Sequence, residues 1–551
     1  MFLKKSVSFY QKLVLSVGLV FCLFALPVFG AGGKASDGAS TAASGPLGKY
    51  TPEINLTSAR SMDAGIVYEP AKWKDYEDNQ WFRNYKSELG INLSYQWISP
   101  DGDSDSLKWT TAIASGDVPD FARVNNRIYK LLLEADLIAD MTKLWDEYAS
   151  PGLKDMVTPA DLSQMTFDGK LMGFPLPSMG IGEIAILFIR QDWLDKLGLP
   201  VPQTYEDVVA AARAFNTAKP AGPNTIPIAL YNGSGWAGAG LWSGIFNAYG
   251  AYEGMWLEKN GQLVYGTVQR EMRDALLSMQ ALLKEGLINR DFMAANDSTI
   301  GEYIANGQVG IFWGYNWVTS TSLHALDLNE PSNKWAYLYP PSVKGQNNLA
   351  QANLSVPPRI FVSNKSKYPE AAIKMANLAQ KYELERSDYV MEGDVRPNKF
   401  NPWDQVIAYA EPTVTQAYAI LDAERTGRMN PEYIRKYGGT DTIYESYKKA
   451  KETGDPDLKW YLNTWGEGSS LMVGYNAVQQ KKLLTTAYLG LPTDTQSLLG
   501  STIGTELQVA MTEVITGADI SVFDRAVQKW LNDGGQKITD EVNQWYKANK
   551  K

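Results

Sequence analysis

Short apolar runs alternate with amphipathic stretches along most of the chain. Residues 91–98 (INLSYQWI) alternate apolar and polar side chains with a period of two, which is typical of a half-buried strand. Residues 268–283 place their apolar side chains on one face at helical spacing, whereas 185–189 and 226–231 are apolar runs of strand length. This alternation predicts an α/β fold with a largely parallel, doubly wound sheet, in which ligands bind beyond the carboxyl ends of the strands.

Residues 190–208 (RQDWLDKLGLPVPQTYEDV) contain a clear pair of helix boundaries. Gly198 and two prolines end a short helix, and the spacing of Thr204 and Asp207 predicts a capping box that starts the next one.

A chain of 551 residues also exceeds what one hydrophobic core usually fills. The sequence therefore predicts at least two lobes.

The order of apolar strand, short helix, proline-rich turn and capped helix in residues 185–208 resembles the extracellular solute-binding proteins of ABC importers, family 1, which includes maltose-binding proteins. The preceding GKLMGFPLP at residues 169–177, ANGQVGIFWGYNW at 305–317 and the closing helices at 515–546 carry the same resemblance. It implies a two-lobed periplasmic-binding-protein fold of type II, each lobe a doubly wound, mainly parallel sheet flanked by helices. It also implies an extracytoplasmic importer subunit that captures a carbohydrate, expected to be an oligosaccharide, by lobe closure.

The resemblance and the composition together predict a domain order. We expect a signal peptide at residues 1–30, a flexible linker at 31–50, one lobe from 51–180 and 357–400, and a second lobe from 181–356 and 401–551. The lobe to which residues 401–500 belong is left open. The linker is predicted from its Gly, Ser and Ala content.

The first 30 residues have the order of an export signal. Lys4, Lys5 and Lys12 precede an apolar stretch at residues 13–29, and small residues follow it. A membrane-spanning anchor is the rival interpretation, because the stretch is near the lower length limit for a transmembrane helix. The lipoproteins of this family begin with a lipidated cysteine, but Ala31 stands at that place and Cys22 lies inside the apolar stretch. We therefore expect cleavage near Ala31 and an exported chain without the usual lipid anchor.

Composition and charge exclude several classes of function. A formal net charge of -9 argues against nucleic acid or anionic lipid as a partner. His324 is the only histidine and the mature chain would have no cysteine, so neither a zinc cluster nor a Ser-His-Asp triad is expected. Residues 214–228, where some large relatives carry a calcium loop, contain no acid, so no calcium site is expected there. We expect no cofactor.

Trp317 is the first candidate for ligand contact, because it falls where maltose-binding proteins have a sugar-stacking tryptophan. The alternative is a core tryptophan, since indoles are mostly buried. Trp313, four residues earlier, has the same two alternatives. Tyr315 and Asn316 lie between them and are candidate rim groups.

Other candidates follow strand ends or glycine-rich turns. Trp236 and Trp242 lie in such a turn and would either contact a sugar or fix the loop to its lobe. Glu183 occupies a hinge position where this family often has a sugar-binding carboxylate, although a solvated loop acid is an equal alternative. The remaining candidates are polar or aromatic residues in loops: Asn125, Arg127, Arg396 and Trp465.

The partners implied are an oligosaccharide ligand and the transmembrane subunits of an ABC permease, with the protein itself a monomer. Two rival functions share the sequence features. A secreted glycoside hydrolase needs only a pair of carboxylates, which 61 acidic residues can supply. A surface sugar sensor without transport would use the same fold and ligand site.

Overall fold

The computed structural model describes residues 41–42, 44–62, 76–77, 80–157, 159–176, 181–231, 239–354, 359–385, 413–436 and 440–550. The expected signal peptide and most of the linker lie outside these residues. No helix in the described ranges combines the length and the apolar character that crossing a membrane requires.

The strands are short, as expected for sheets interleaved with helices. They are β1 (Thr41–Ala42), β2 (Tyr50–Thr51), β3 (Ile54–Ser61), β4 (Ile91–Ser99), β5 (Phe121–Val124), β6 (Thr166–Phe167), β7 (Lys170–Leu171), β8 (Phe174–Pro175), β9 (Ile181–Ile184), β10 (Ile186–Arg190), β11 (Ile226–Ile228), β12 (Trp256–Lys259), β13 (Gln262–Tyr265), β14 (Val309–Gly314), β15 (Trp335–Leu338), β16 (Ala350–Leu354), β17 (Arg359–Val362) and β18 (Leu483–Leu484).

Helices fill the intervals between the strands and dominate the last quarter of the chain. They are α1 (Gln80–Asn84), α2 (Gly102–Ser115), α3 (Asn126–Glu134), α4 (Thr142–Tyr148), α5 (Pro151–Met156), α6 (Pro159–Ser163), α7 (Gln191–Leu197), α8 (Tyr205–Ala218), α9 (Ser243–Ala248), α10 (Glu271–Lys284), α11 (Asp297–Ala305), α12 (Ser322–Asn329), α13 (Ala371–Glu385), α14 (Thr413–Thr426), α15 (Pro431–Lys436), α16 (Thr440–Thr453), α17 (Lys459–Thr464), α18 (Ser470–Gln479), α19 (Asp494–Ile515), α20 (Ser521–Trp530) and α21 (Gln536–Asn549).

Two large hydrophobic cores give the molecule its two lobes. The first core draws its buried side chains from residues 50–176 and 360–379. The second draws them from 184–352 and 477–523. The chain thus passes from the first lobe to the second, returns to the first lobe through β17 and α13, and then passes to the second lobe again. The fold is a two-lobed α/β architecture.

The sheets are mixed in the described part of the chain rather than mainly parallel. In the second lobe the order is β11-β14-β10-β15, with β11 parallel to β14 and β10 antiparallel to both of its neighbours. In the first lobe β17 runs antiparallel between β5 and β8. The physical reason is that β10 and β17 are the strands by which the chain enters each lobe. They start at the edge where their neighbours end.

The strand registers define one edge of each lobe, here called the crossover edge. In the second lobe Ile186, which starts β10, pairs with Gly314, which ends β14. In the first lobe Arg359, which starts β17, pairs with both Val124 and Pro175 at the ends of β5 and β8. The connecting strands β9 and β16 lead into β10 and β17, so they reach the two lobes at these crossover edges. These two strands pair antiparallel with one another.

The segment whose lobe was left open contacts both lobes. Helices α14, α16, α17 and α18 enclose a small core of their own, and α18 packs against β10 and β15 of the second lobe. Helix α15 lies against α13 of the first lobe, and Leu491 packs on the first core. This part of the chain is an addition that spans the two lobes.

Candidate functional site

Trp317 lies just beyond the crossover edge of the second lobe. Strand β14 ends at Gly314, and the chain then forms a short 3-10 helix, Asn316–Ser320. The indole is half-buried against the second core and stacks on the Tyr315 ring, with centroids 6.5 Å apart and planes inclined by 28°. Asn316 is also half-buried. A ring anchored on one side and partly exposed on the other can present an apolar face to a ligand.

Trp313 and Trp242 lie in the core beneath this edge. The structure therefore favours the packing alternative for both residues over contact with a ligand. Each exposes only 1% of its surface. A Cβ added at Gly244 would lie 1.9 Å from the Trp313 indole, so that ring is packed directly against backbone. Trp242 stacks on Phe246 with centroids 5.5 Å apart. The core alternative describes both residues, because neither ring has a free face.

A second aromatic group lies beside the 3-10 helix. Trp465 is 8% exposed and contacts Trp460 and Tyr461, with ring centroids 5.3 Å and 5.4 Å away. Trp460 and Tyr461 are half-buried. The hydroxyls of Thr319 and Thr464 lie 2.6 Å apart, so α17 is attached to the helix that carries Trp317. Sequence reasoning missed Trp460 and Tyr461, although the spacing of aromatic residues in WYLNTW could have revealed them.

Asp327 holds α17 in this position. Its carboxylate is fully buried and lies 2.9 Å from the Lys459 ammonium. It also accepts hydrogen bonds of 2.9 Å from the side-chain amides of Asn333 and Asn463. Burial raises the pKa of Asp327, and the Lys459 charge opposes that rise. The contacts on both carboxylate oxygens therefore keep the buried acid satisfied and fix α17 to α12.

Glu253 lies beside the connecting strand β16. Its pKa is raised to about 7, chiefly by burial. The Gln351 side chain on β16 donates to the Glu253 carbonyl at 3.0 Å. The main chain at Glu253 is therefore attached to a strand that joins the lobes.

Asn125 and Arg127 lie at the crossover edge of the first lobe, immediately after β5. Both are exposed, and Asn125 caps α3 by accepting from the Ile128 N–H at 2.9 Å. Asn126 accepts from the buried Arg359 at 2.8 Å. Asp120 accepts from the Thr57 backbone at 2.8 Å and joins β3 to β5. Among these residues, Asn125 and Arg127 are the exposed ones, while Asn126 and Asp120 make contacts within the lobe.

Three of the expected site residues cannot be placed. Trp236 and Arg396 lie outside the described residues. Glu183 lies on β9, where its backbone pairs with Asn353, but its side chain is outside the described part of the chain. Across the ranges that the structure covers, no three His, Cys, Asp or Glu side chains are grouped so as to hold a metal ion.

Comparisons with known proteins fit this geometry. The model of the family described as bacterial extracellular solute-binding protein matches residues 65–383, which is more than half of the chain. Lipoprotein LipO of Bacillus subtilis strain 168 is 23% identical over 482 residues, covering 84% of this chain and 87% of that protein. The polygalacturonan/rhamnogalacturonan-binding protein YtcQ of the same organism is 28% identical over 275 residues, covering 48% and 51% respectively.

A solved structure has a similar fold. It is the ABC-transporter substrate-binding protein FusA of S. pneumoniae in complex with kestose. It superposes with a TM-score of 0.61 at 15% identity and covers 90% of this chain and 100% of that chain. At this identity the likeness concerns the fold.

Proposed function

Because the chain belongs to the family of bacterial extracellular solute-binding proteins, we propose that it is the extracytoplasmic substrate-binding subunit of an ABC importer for an oligosaccharide. It would bind the sugar between its two lobes and deliver it to the transmembrane subunits of a permease. Export would remove the first 30 residues and leave a mature chain that begins near Ala31.

The single observation that carries the proposal is the position of Trp317. Its partly exposed indole lies at the crossover edge, and Asn125 and Arg127 lie at the corresponding edge of the other lobe. An aromatic face supports the apolar side of a sugar ring, and polar groups opposite it bind the hydroxyls. Trp460 and Tyr461 lie on α17, which contacts the 3-10 helix that carries Trp317.

The two connecting strands provide the mechanics. β9 and β16 pair antiparallel, and β18 of the helical addition pairs with β16. The lobes are therefore joined by a small three-stranded sheet, about which we propose that they rotate. A sugar that contacts both lobes binds the closed form more tightly than the open form and therefore favours closure. The closed form would be the state that a permease recognises.

The similar proteins support an oligosaccharide as the ligand class. YtcQ is described as binding polygalacturonan and rhamnogalacturonan, and the FusA structure contains kestose. Both names refer to linked sugars rather than to a single sugar.

The proposal is tested by a thermal-shift screen of the mature protein against neutral and acidic oligosaccharides. A ligand that binds only the folded state raises the melting temperature, by mass action. Chromatography of the sugar after incubation provides the control for catalysis. Intact sugar is expected, whereas shorter products would show a hydrolase, and no shift with any sugar would contradict the proposal.

A further inference from the structure

Residues 485–493, here called the strap, connect β18 to α19. The beginning of the strap is bound to the second lobe. The Ala487 N–H donates to the Trp256 carbonyl at 2.8 Å, and the Trp256 N–H donates to the Thr486 hydroxyl at 3.1 Å. The strap therefore starts from a fixed position on that lobe.

The helix that follows the strap also belongs to the second lobe. Met511, Val514 and Ile515 on α19 are buried in the second core. The Gln280 side chain on α10 donates to the Ala518 carbonyl at 2.9 Å, just after α19 ends. Helices α10 and α19 also pack against one another. The elements on both sides of the strap are thus fixed to one lobe.

The end of the strap, by contrast, contacts the first lobe. Leu491 is half-buried and packs on the first core. Asp494, the first residue of α19, accepts a hydrogen bond of 2.5 Å from the Lys130 ammonium on α3. This hydrogen bond lowers the pKa of Asp494 and so keeps its carboxylate charged. An apolar contact and an ion pair therefore join the first lobe to a segment that is fixed to the second.

Lys130 has a second partner within its own helix. The Glu134 carboxylate, four residues later, lies 3.5 Å from the same ammonium. Lys130 therefore keeps one carboxylate beside it when Asp494 moves away. The Asp494 side chain is 89% exposed, so water hydrates it once it is released. Both features lower the cost of breaking the pair between the lobes and make it a reversible contact.

We infer that Leu491 and the Lys130–Asp494 pair form a latch that holds the two lobes in the relative position described here, and that lobe rotation releases it. This inference rests on the lobe rotation in the proposed function. Lys130 and Asp494 belong to different lobes, so rotation about the sheet of β9, β16 and β18 displaces one from the other. A contact that is present in one arrangement and absent from another shifts the equilibrium between them.

The test measures the distance between the lobes by pulsed electron paramagnetic resonance, on the mature protein without added sugar. The only cysteine of the chain is Cys22, within the expected signal peptide, so introduced cysteines carry the labels alone. Lys108→Cys on α2 labels the first lobe and Lys284→Cys on α10 labels the second. Both positions are exposed.

We expect Asp494→Asn and Lys130→Gln to shift the ratio of lobe arrangements by about two- to fivefold, as for an exposed ion pair. Leu491→Ala should shift the ratio in the same direction. Glu506→Gln is the matched control, because it removes an ion pair of the same helix with Lys529 that lies within the second lobe. It should leave the distances unchanged. The polar variants decide the outcome, since they leave both cores intact even if Leu491→Ala lowers stability.

Ionic strength separates the ion pair from a general loosening of the fold. Raising the salt concentration from about 20 mM to about 500 mM shortens the Debye length from about 20 Å to about 4 Å. It should reproduce the Asp494→Asn shift in the unmodified protein and change the Asp494→Asn variant little. Identical distances in the unmodified protein, Asp494→Asn and Lys130→Gln at both salt concentrations would overturn the inference. A sugar that binds without altering these distances would instead contradict lobe closure in the proposed function.

Discussion

Thr319 and Thr464, which are 145 positions apart in sequence, bring their hydroxyls to 2.6 Å from one another. One follows Trp317 by two residues and the other precedes Trp465 directly. The contact is buried and therefore well shielded from water. It joins the 3-10 helix of the second lobe to α17 of the helical addition.

Replacing Trp317 with Ala should weaken oligosaccharide binding by about tenfold or more while the protein stays folded. The half-buried ring supplies a stacking face whose loss is felt by the ligand. Trp313→Ala is the contrasting variant, because a cavity in the core should lower the free energy of unfolding by about 3–5 kcal/mol. Calorimetry and thermal denaturation measure both effects. Normal binding by the Trp317 variant would exclude it from the site.

Asp327→Ala should destabilise the protein by about 3–5 kcal/mol, because Lys459 and two amides lose a buried partner. It should also weaken ligand binding, since α17 carries Trp460 and Tyr461. Lys529→Ala removes an exposed ion pair with Glu506 and should cost less than about 1 kcal/mol. Urea denaturation compares the variants, and equal midpoints would contradict the anchoring role of Asp327.

Glu253→Gln should change how stability depends on pH. The folded-state pKa of Glu253 is raised to about 7, so the folded protein holds this proton more tightly than the unfolded chain does. The stabilising contribution of the protonated carboxyl should therefore be fully present below about pH 4.5 and be lost as the pH rises through 7, which lowers the free energy of unfolding by about 3 kcal/mol. The Gln variant should lack this fall. Denaturation midpoints between pH 4 and pH 8 measure it, and parallel curves would show that Glu253 titrates normally.

Ligand binding should reduce the radius of gyration. Two cores joined by the sheet of β9, β16 and β18 can rotate towards one another when a sugar contacts both crossover edges. Small-angle scattering with and without saturating ligand measures the change. An unchanged profile would contradict lobe closure but would leave binding itself in place.

The mature chain should begin near Ala31. The small residues at 30–33 suit the ordinary signal peptidase, and Phe21 before Cys22 does not suit a lipoprotein cleavage site. N-terminal sequencing of secreted protein, together with fatty-acid labelling, measures the outcome. A fatty-acid label that disappears in Cys22→Ser would show that the chain is lipidated after all.

Local sequence signals predicted the elements well, because short-range chemistry determines them. The Thr204–Asp207 capping box is present, and the strand expected at 91–98 is β4 (Ile91–Ser99). The two-lobed α/β architecture was also predicted. That prediction came from the resemblance to the solute-binding family, whose motifs lie at the boundaries of strands and helices.

Burial and strand direction were harder to predict, for a physical reason. Every residue of β14 is buried, so its sequence shows no alternation that would separate Trp313 from a surface position. The antiparallel entry of β10 and β17 depends on the crossover path, which no local pattern encodes. The position of α17, which carries Trp460 and Tyr461, depends on contacts between segments far apart in sequence, such as that of Thr319 with Thr464.

Strand β17 lies between β5 and β8, yet it is synthesised after the whole first excursion through the second lobe. Until residue 362 has been made, the N-terminal lobe lacks the strand that hydrogen-bonds its two neighbours together. A nascent chain cannot complete this sheet early, because the missing partner is far away in sequence. Delayed folding of this kind would keep an exported polypeptide extended enough to be threaded through a translocation channel before it becomes compact outside the cell.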